Sequence, residues 1–402
     1  MKLAKKILKY LSKPPGVNPW SLTRNHHPKE LKHHRKIMWA VPDKRFAPLF
    51  WIFYFVQLVS WYLFFVWKHL YKGLAYLKRQ EKNHKPTENK QFKKLVELLF
   101  VYTIPYHSII KYQLLDQARS TCLSHIYAHE IPKWQYALSN SISADEHLLL
   151  SDKDYFSKIC TQQGIPCIET IHRIKHKASH EDLEKILSLN RSCFIKPPGA
   201  NQSLACYALY NNADSFRMNL IGHTEEFSES KEIIQELRKA NQKHSLIVQP
   251  MLRNISLWEK LSLSTELITM RIITEWHHNR SQILAAVLEI PIEDGGKFYD
   301  IIPIDPRSGH IHNQLFGSRI KKTNERQTQL LSKIGDTVVP QWIEIMNILQ
   351  RAHSLVPSVR TVGWDLALTE KGPIIIEGNF GWNTKTLTKN KLKSKALRAI
   401  EL

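Results

Sequence analysis

The stretch GWDLALTEKGPIIIEGNFGWN, residues 363 to 383, sets Asp365, Glu377 and Asn379 among apolar neighbours. Trp364, Leu366 and Leu368 alternate with Asp365, Ala367 and Thr369, the period of a strand. Glu370-Lys371-Gly372 reads as a three-residue turn, with glycine where a left-handed conformation is needed. Pro373 to Glu377 is the return strand, with proline at its first position, where a missing donor does least harm. Folding about Lys371 pairs 369 with 373, 367 with 375 and 365 with 377, and Asn379 follows on the same face. Like charges facing each other destabilise a strand pair. Two carboxylates and an amide oxygen converging there suit a hard divalent cation such as Mg²⁺, which takes oxygen ligands and keeps waters and phosphates in its shell. A surface hairpin with its acids turned to water is the competing reading of the same pattern.

Further polar residues end or interrupt apolar runs. Lys153 opens a helix after HLLLSDK, and Lys196 ends the strand FIK. A loop with Gly199, Asn201, Gln202 and Ser203 follows. Gln249 stands where the apolar strand of LIVQPML gives way to a polar connector, and Arg271 interrupts ITMRIIT. Taken singly, these are snorkelling lysines, a turn and a surface arginine. Taken together they supply phosphate-binding cations, a polar loop and a metal site within one α/β stretch.

The elements that must position them are legible from residue 151 onward. DKDYFSKICTQQGIP is a helix stopped by Gly164 and Pro166. SCFIKPP and HSLIVQPML contain short apolar strands, and ELITMRIITEW and QILAAVLEIPI longer ones. VVPQWIEIMNILQRAHSLV is an amphipathic helix leading into the hairpin. There is no G-x-x-x-x-G-K, no G-x-G-x-x-G after a strand, no G-x-S-x-G and no H-E-x-x-H, which removes most of the weight from Walker-type, Rossmann, serine-hydrolase and zinc-protease chemistry.

At this point the chain resembles the ATP-grasp superfamily, and within it the sugar-transfer-associated ATP-grasp group. The resemblance covers roughly residues 145–385 and rests on DKDYF…GIP, FIKPPG, IVQPML, LITMR, PQW…AHSLVP and VGWDLALTEKGPIIIEGN. It implies an α+β fold in which two lobes clamp ATP. By the same resemblance Lys153 and Lys196 contact phosphates, with Ser203 in the phosphate loop. Val248 to Leu252, including Gln249, form the adenine hinge. Arg271 meets the γ-phosphate and, with Lys196, is the catalytic pair; Asp365, Glu377 and Asn379 hold Mg²⁺. The sequence departs from the family in three places. Its phosphate loop is poor in glycine, Ile268 stands where an asparagine is usual, and AAVLEIPIEDGG lacks the usual arginine.

The totals add a partner. A net charge of +21 over 402 residues implies an anionic one. Residues 1–45 hold twelve Lys or Arg against two acids, 68–94 nine against two, and the tail from Thr384 six against one. These clusters flank LFWIFYFVQLVSWYLFFVW (49–67), an uncharged run whose nineteen residues would span about 28 Å as a helix. Basic flanks on both sides oppose a single crossing and favour an interfacial helix or a re-entrant hairpin. Residues 95–110 are available as a second arm, although Glu97 and Pro105 make them a poor span. The five scattered cysteines suggest neither a disulfide framework nor a zinc site and fit a reducing compartment. The expected organisation is a basic arm (1–45), an apolar membrane-associating segment (46–80), a linker and helical region (81–150), the N-terminal lobe (151–250), and the C-terminal lobe with a basic tail (251–402). The expected location is the cytoplasmic face of the cell membrane, with no specific nucleic-acid partner.

The function these features imply is an ATP- and Mg²⁺-dependent ligase that joins a carboxylate to an amine or similar nucleophile through an acyl phosphate. A small molecule or cell-surface glycan precursor is the expected substrate. Two alternatives stay open: a kinase acting on a sugar or lipid-linked hydroxyl, and a non-catalytic membrane-bound nucleotide binder.

Overall fold

The computed structural model describes residues 47–82, residues 89–118 except 112, and residues 122, 127 and 130. It also describes residues 142–382 apart from 190, 200–205, 213, 214, 222, 224, 260, 262–265, 293–298, 314, 316–324 and 381. The basic arm, the basic tail and Ser203 lie outside these residues. The chain divides into two units, Met1–Asn140 with Asn383–Leu402, and Ser141–Trp382.

In the first unit α1 (Ala47–Ser60) runs through a π-helical turn (Trp61–Phe65) into α2 (Val66–Lys82). No glycine or proline interrupts residues 49–72, so helical structure continues through the π turn without a chain break. A returning arm of α3 (Asn89–Val96), a second π turn (Glu97–Val101) and α4 (Tyr106–Lys111) follows. Leu95, Leu98 and Leu99 are fully buried in one cluster with Trp61 and Leu77. Two side chains of the first arm fasten the second by its backbone: Trp61 Nε1 donates to the Leu99 carbonyl (3.3 Å) and the Tyr62 hydroxyl to that of Phe100 (2.7 Å).

The second unit is built on two antiparallel sheets. The six-stranded sheet holds β1 (His172–Ile174), β2 (Cys193–Lys196), β3 (Tyr207–Asn212), β4 (Ser215–Leu220), β5 (Glu226–Phe227) and β6 (Leu246–Pro250), in the order β1-β6-β2-β3-β4-β5. Cys193, Ile195, Leu246 and Val248 point to one face, against Leu183 and Ile186 of α7 (His180–Leu187) and Ile233 and Leu237 of α8 (Ser230–Asn241). Phe194, Lys196 and Gln249 take the other face, as the period of two requires.

The five-stranded sheet holds β7 (Thr269–His277), β8 (Arg280–Pro291), β9 (Tyr299–Ile304), β10 (Thr361–Thr369) and β11 (Gly372–Asn379), in the order β11-β10-β7-β8-β9. Its covered face carries Met270, Ile272, Ala286, Leu288, Trp364 and Leu366, packed with Ile345 and Leu349 of α9 (Trp342–His353). α5 (Ala144–Ser151) and α6 (Lys153–Gln162) join this core through Leu149, Leu150, Phe156 and Cys160. Ile168 N donates to the Ile375 carbonyl, and Ile375 N to that of Pro166. α6 and the segment after it thus pack with the five-stranded sheet, and the six-stranded sheet begins at β1.

The hairpin also differs from its expected geometry. The turn is two residues, Glu370-Lys371, and Gly372 (φ +101°) pairs with Thr369. Ala367 faces Ile374, not Ile375, so every pair near the turn is one residue out of the expected register. A bulge opposite Asp365/Leu366 absorbs the difference and returns Asp365 to a position opposite Glu377. One step further, Gly378 faces Trp364, and a Cβ there would lie 2.5 Å from the indole. The glycine between Glu377 and Asn379 is thus the space Trp364 occupies.

Candidate active site

Strand register builds a polar row across the five-stranded sheet. Glu377 on β11 lies opposite Asp365 on β10, and Asp365 opposite Arg271 on β7. Asn379 lies opposite Gly363 in the next row. Gly363 has the Trp382 side chain directly over it, leaving no space for a larger residue at that point.

Arg271 and Asp365 form an ion pair through Nε and Oδ1. Lys153 Nζ, delivered by the first residue of α6, lies 3.2 Å from Glu377 Oε2. The position of Lys153 is fixed locally. Asp152 caps α6 by accepting from Asp154 N and Tyr155 N, and Arg173 clamps Asp152 and Asp154 from β1. The Lys153 amide donates to the Pro198 carbonyl, tying the helix start to the segment after β2.

The two opposed carboxyls carry different protonation tendencies. Burial, then the charges of Glu377 and Glu289, pushes Asp365 well above the usual carboxylate range, although Arg271 pulls the other way. Burial would also raise Glu377, but the ammonium groups of Lys153 and Lys196 and the Asn379 amide more than offset it and hold it below. The two opposed carboxyls are thus driven apart, Asp365 toward its protonated form and Glu377 toward its ionised one, as expected for neighbouring acids that resist ionising together. Asn379 Nδ2 donates to Glu377 Oε1 (2.9 Å), which leaves the Asn379 amide oxygen as an acceptor. Two carboxylates and this oxygen fit a hard divalent cation. Among the described residues no group of three or more His, Cys, Asp or Glu offers an alternative metal site.

Lys196 comes from the other sheet. It is buried, and desolvation lowers its pKa despite the nearby charges of Glu377 and Asp365. It makes no hydrogen bond or ion pair with the described residues; its ammonium lies 5.6 Å from the Phe194 ring. Gln249, in register with Phe194, is fully buried, and neither its amide oxygen nor its amide nitrogen has a hydrogen-bond partner among the described residues. A buried primary amide with no partner costs about 1–3 kcal/mol. A ligand with its own donor and acceptor edge would remove that cost, and the adenine ring is one. Val248 is placed differently: its side chain lies in the helix-covered core and its carbonyl accepts from Ile171 N. Leu252 lies just past β6 in the connector between the sheets.

The structure therefore brings Lys153, Lys196, Arg271, Asp365, Glu377 and Asn379 together. It adds Glu289, on β8, whose charge acts on both Arg271 and Asp365. The signal that singles out Arg271, a charge inside an apolar strand, also marks Glu289 in AAVLEIPI.

The sequence model of the family described as sugar-transfer associated ATP-grasp matches residues 135–399. The chain belongs to that family. Membership makes it an ATP-grasp, ligase-like enzyme. Comparison with curated proteins gives no match. Among solved structures the chain is similar to the ATP-grasp ligase PsnB complexed with minimal precursor, at 12% identity and a TM-score of 0.34, over 71% of this chain and 70% of that one. It is also similar to D-alanyl-alanine synthetase A from Vibrio cholerae O1 biovar eltor, at 11% identity and a TM-score of 0.36, over 65% and 67%. A third is N5-carboxyaminoimidazole synthase from Aspergillus clavatus in complex with ADP and 5-aminoimidazole ribonucleotide, at 11% and 0.38, over 64% and 53%.

Proposed function

We propose that this protein is an ATP- and Mg²⁺-dependent ligase joining a carboxylate to an amine or similar nucleophile, acting at the cytoplasmic face of the membrane on a cell-surface glycan or envelope precursor. The observation that carries the reading is the row Glu377–Asp365–Arg271, with Lys153 and Lys196 beside it: oxygen ligands and cations converge on one point. Asp365, Glu377 and Asn379 would hold the cation. Bound there, Mg²⁺ neutralises charge on the phosphates. Lys153 and Lys196 bind phosphate oxygens, Gln249 faces the adenine edge, and Arg271 stabilises charge on the transferred phosphoryl group.

In the reaction a substrate carboxylate oxygen attacks the γ-phosphorus, the bond from that phosphorus to the ADP oxygen breaks, and an acyl phosphate forms. The amine nitrogen then attacks the acyl carbon, the carbon–oxygen bond to phosphate breaks, and the nitrogen loses a proton to solvent. The chain's contribution is positioning and charge neutralisation. The membrane location is supported by the apolar, base-flanked segment within residues 46–80. Mass spectrometry of envelope-precursor pools with and without the protein identifies the acceptor. Turnover with that acceptor should release ADP and free phosphate in equal amounts. Phosphate retained on the product would make the enzyme a kinase, and no ATP consumption with any accumulated precursor would overturn the reading.

A further inference from the structure

The helical arm of the first unit has two unlike faces. One is closed by the returning arm: Trp61 and Leu77 are buried against Leu95, Leu98 and Leu99. The other exposes Ile52, Val56, Val59, Leu63, Tyr71 and Leu74, between 38% and 75% accessible. Their spacing of three, four or eight residues keeps them in one stripe along the helix. At 1.5 Å per residue it runs about 33 Å. An apolar stripe of this length on a soluble surface calls for an occupant.

Charge identifies that occupant. Lys68 and Lys72 flank the stripe, Lys78 continues its line, and the surrounding sequence is basic. Apolar surface edged by lysines fits an anionic lipid surface, with the side-chain stems in the apolar zone and the ammonium groups at the headgroups.

Trp51–Gln80 is long and apolar enough to cross a bilayer by length and composition. A crossing helix, however, needs lipid or apolar protein on all sides through the hydrocarbon. Here the covering arm carries Lys90, Gln91, Lys93, Lys94 and Glu97, with Gln91 bonded to Asp116 (2.7 Å) and Lys94 paired with Glu97 (3.5 Å). Such a face is costly to bury in hydrocarbon. We infer that residues 47–111 form a one-sided membrane module: the hairpin lies along one leaflet, the Ile52–Leu74 stripe enters the acyl zone, and the α3 side stays in water. This rests on the membrane location proposed above.

The full-length protein, added to preformed vesicles, tests it. Vesicles of phosphatidylcholine with phosphatidylglycerol should bind it, and phosphatidylcholine alone should bind it more weakly, with the difference shrinking as salt is raised. Leu63→Glu combined with Phe64→Glu should weaken binding to the mixed vesicles ~tenfold or more. Both residues are exposed, so ATP affinity should not change. A cysteine-reactive bimane placed by Leu63→Cys should be quenched by lipids carrying a spin label on the acyl chain, and one placed by Lys90→Cys should not. Failure to bind either vesicle would remove the membrane location itself. Binding in which both probes are quenched, or in which the glutamate variant binds normally, would leave that location standing and overturn the one-sided module.

Discussion

The two sheets of the second unit meet the same demand in opposite ways. Each covers one face with helices and turns the other toward the chemistry. On the five-stranded sheet the polar groups balance one another: Arg271 pairs with Asp365, Lys153 with Glu377, and Asn379 donates to Glu377. On the six-stranded sheet, among the described residues, Lys196 is buried without an ion pair and Gln249 has neither donor nor acceptor satisfied. The first face meets most of its polar demand with its own ion pairs and hydrogen bond. The second holds unmet polar demand, which a ligand would relieve.

The largest expected effect breaks the balanced face. Asp365→Asn or Glu377→Gln should lower Mg²⁺-dependent turnover by at least ~10²-fold, because the cation loses a charged ligand. Equal activity of wild type and both variants across a Mg²⁺ titration would end the metal assignment. The sign of the pH effect follows from the raised Asp365 pKa. A carboxyl held protonated in the fold stabilises it fully at low pH, and that contribution is lost as pH rises through the folded value. Metal-free wild type should therefore lose stability from just above the ordinary aspartate pKa of about 3.9 up to the folded Asp365 value. Chemical denaturation at a series of pH values should show that slope reduced in Asp365→Asn. An unchanged slope would mean that Asp365 is not the group responsible.

The next effect sharpens the contrast. Lys196→Met keeps the stem in its pocket and removes the charge. A lost charge-assisted contact is worth about 1.5–3 kcal/mol, so ATP affinity should fall ~10–100-fold. The ligand-free protein should be at least as stable as wild type, since burial disfavours that ammonium. Unchanged affinity in equilibrium dialysis would make Lys196 a strand-end lysine and nothing more.

Why one face is readable in the sequence and the other less so has a physical reason. A charge inside an apolar strand is conspicuous, so Lys196, Arg271, Asp365 and Glu377 stand out from local pattern alone. The Asp365–Glu377 pairing is legible too, although by a different route: the turn is one residue shorter than expected, and the bulge restores the register. Local alternation does not report a bulge, because one extra residue in one strand changes the count without changing the composition. The partner of α6 is less accessible still. Its apolar periodicity announces a buried face, and only tertiary contact decides that Phe156 and Cys160 meet the five-stranded core. The unmet demand of Gln249 is invisible in sequence, since glutamine after a short strand looks like any polar cap.

That residue gives the smallest and most discriminating effect. Gln249→Leu replaces a buried amide without partners among the described residues by an apolar side chain of similar size. On a face that is complete without ligand, losing a polar group would cost stability or leave it unchanged. On a face with unmet demand, the substitution should stabilise the ligand-free protein by about 1 kcal/mol or more. It should also weaken ATP binding several-fold, because the adenine edge loses its partner. The two shifts must run in opposite directions, and neither a packing defect nor a general loosening gives that combination. Thermal denaturation of the ligand-free variant and nucleotide affinity by calorimetry measure them independently. If Gln249→Leu is less stable and binds ATP normally, the amide is satisfied within the fold, and the distinction between the two faces fails at its most buried residue.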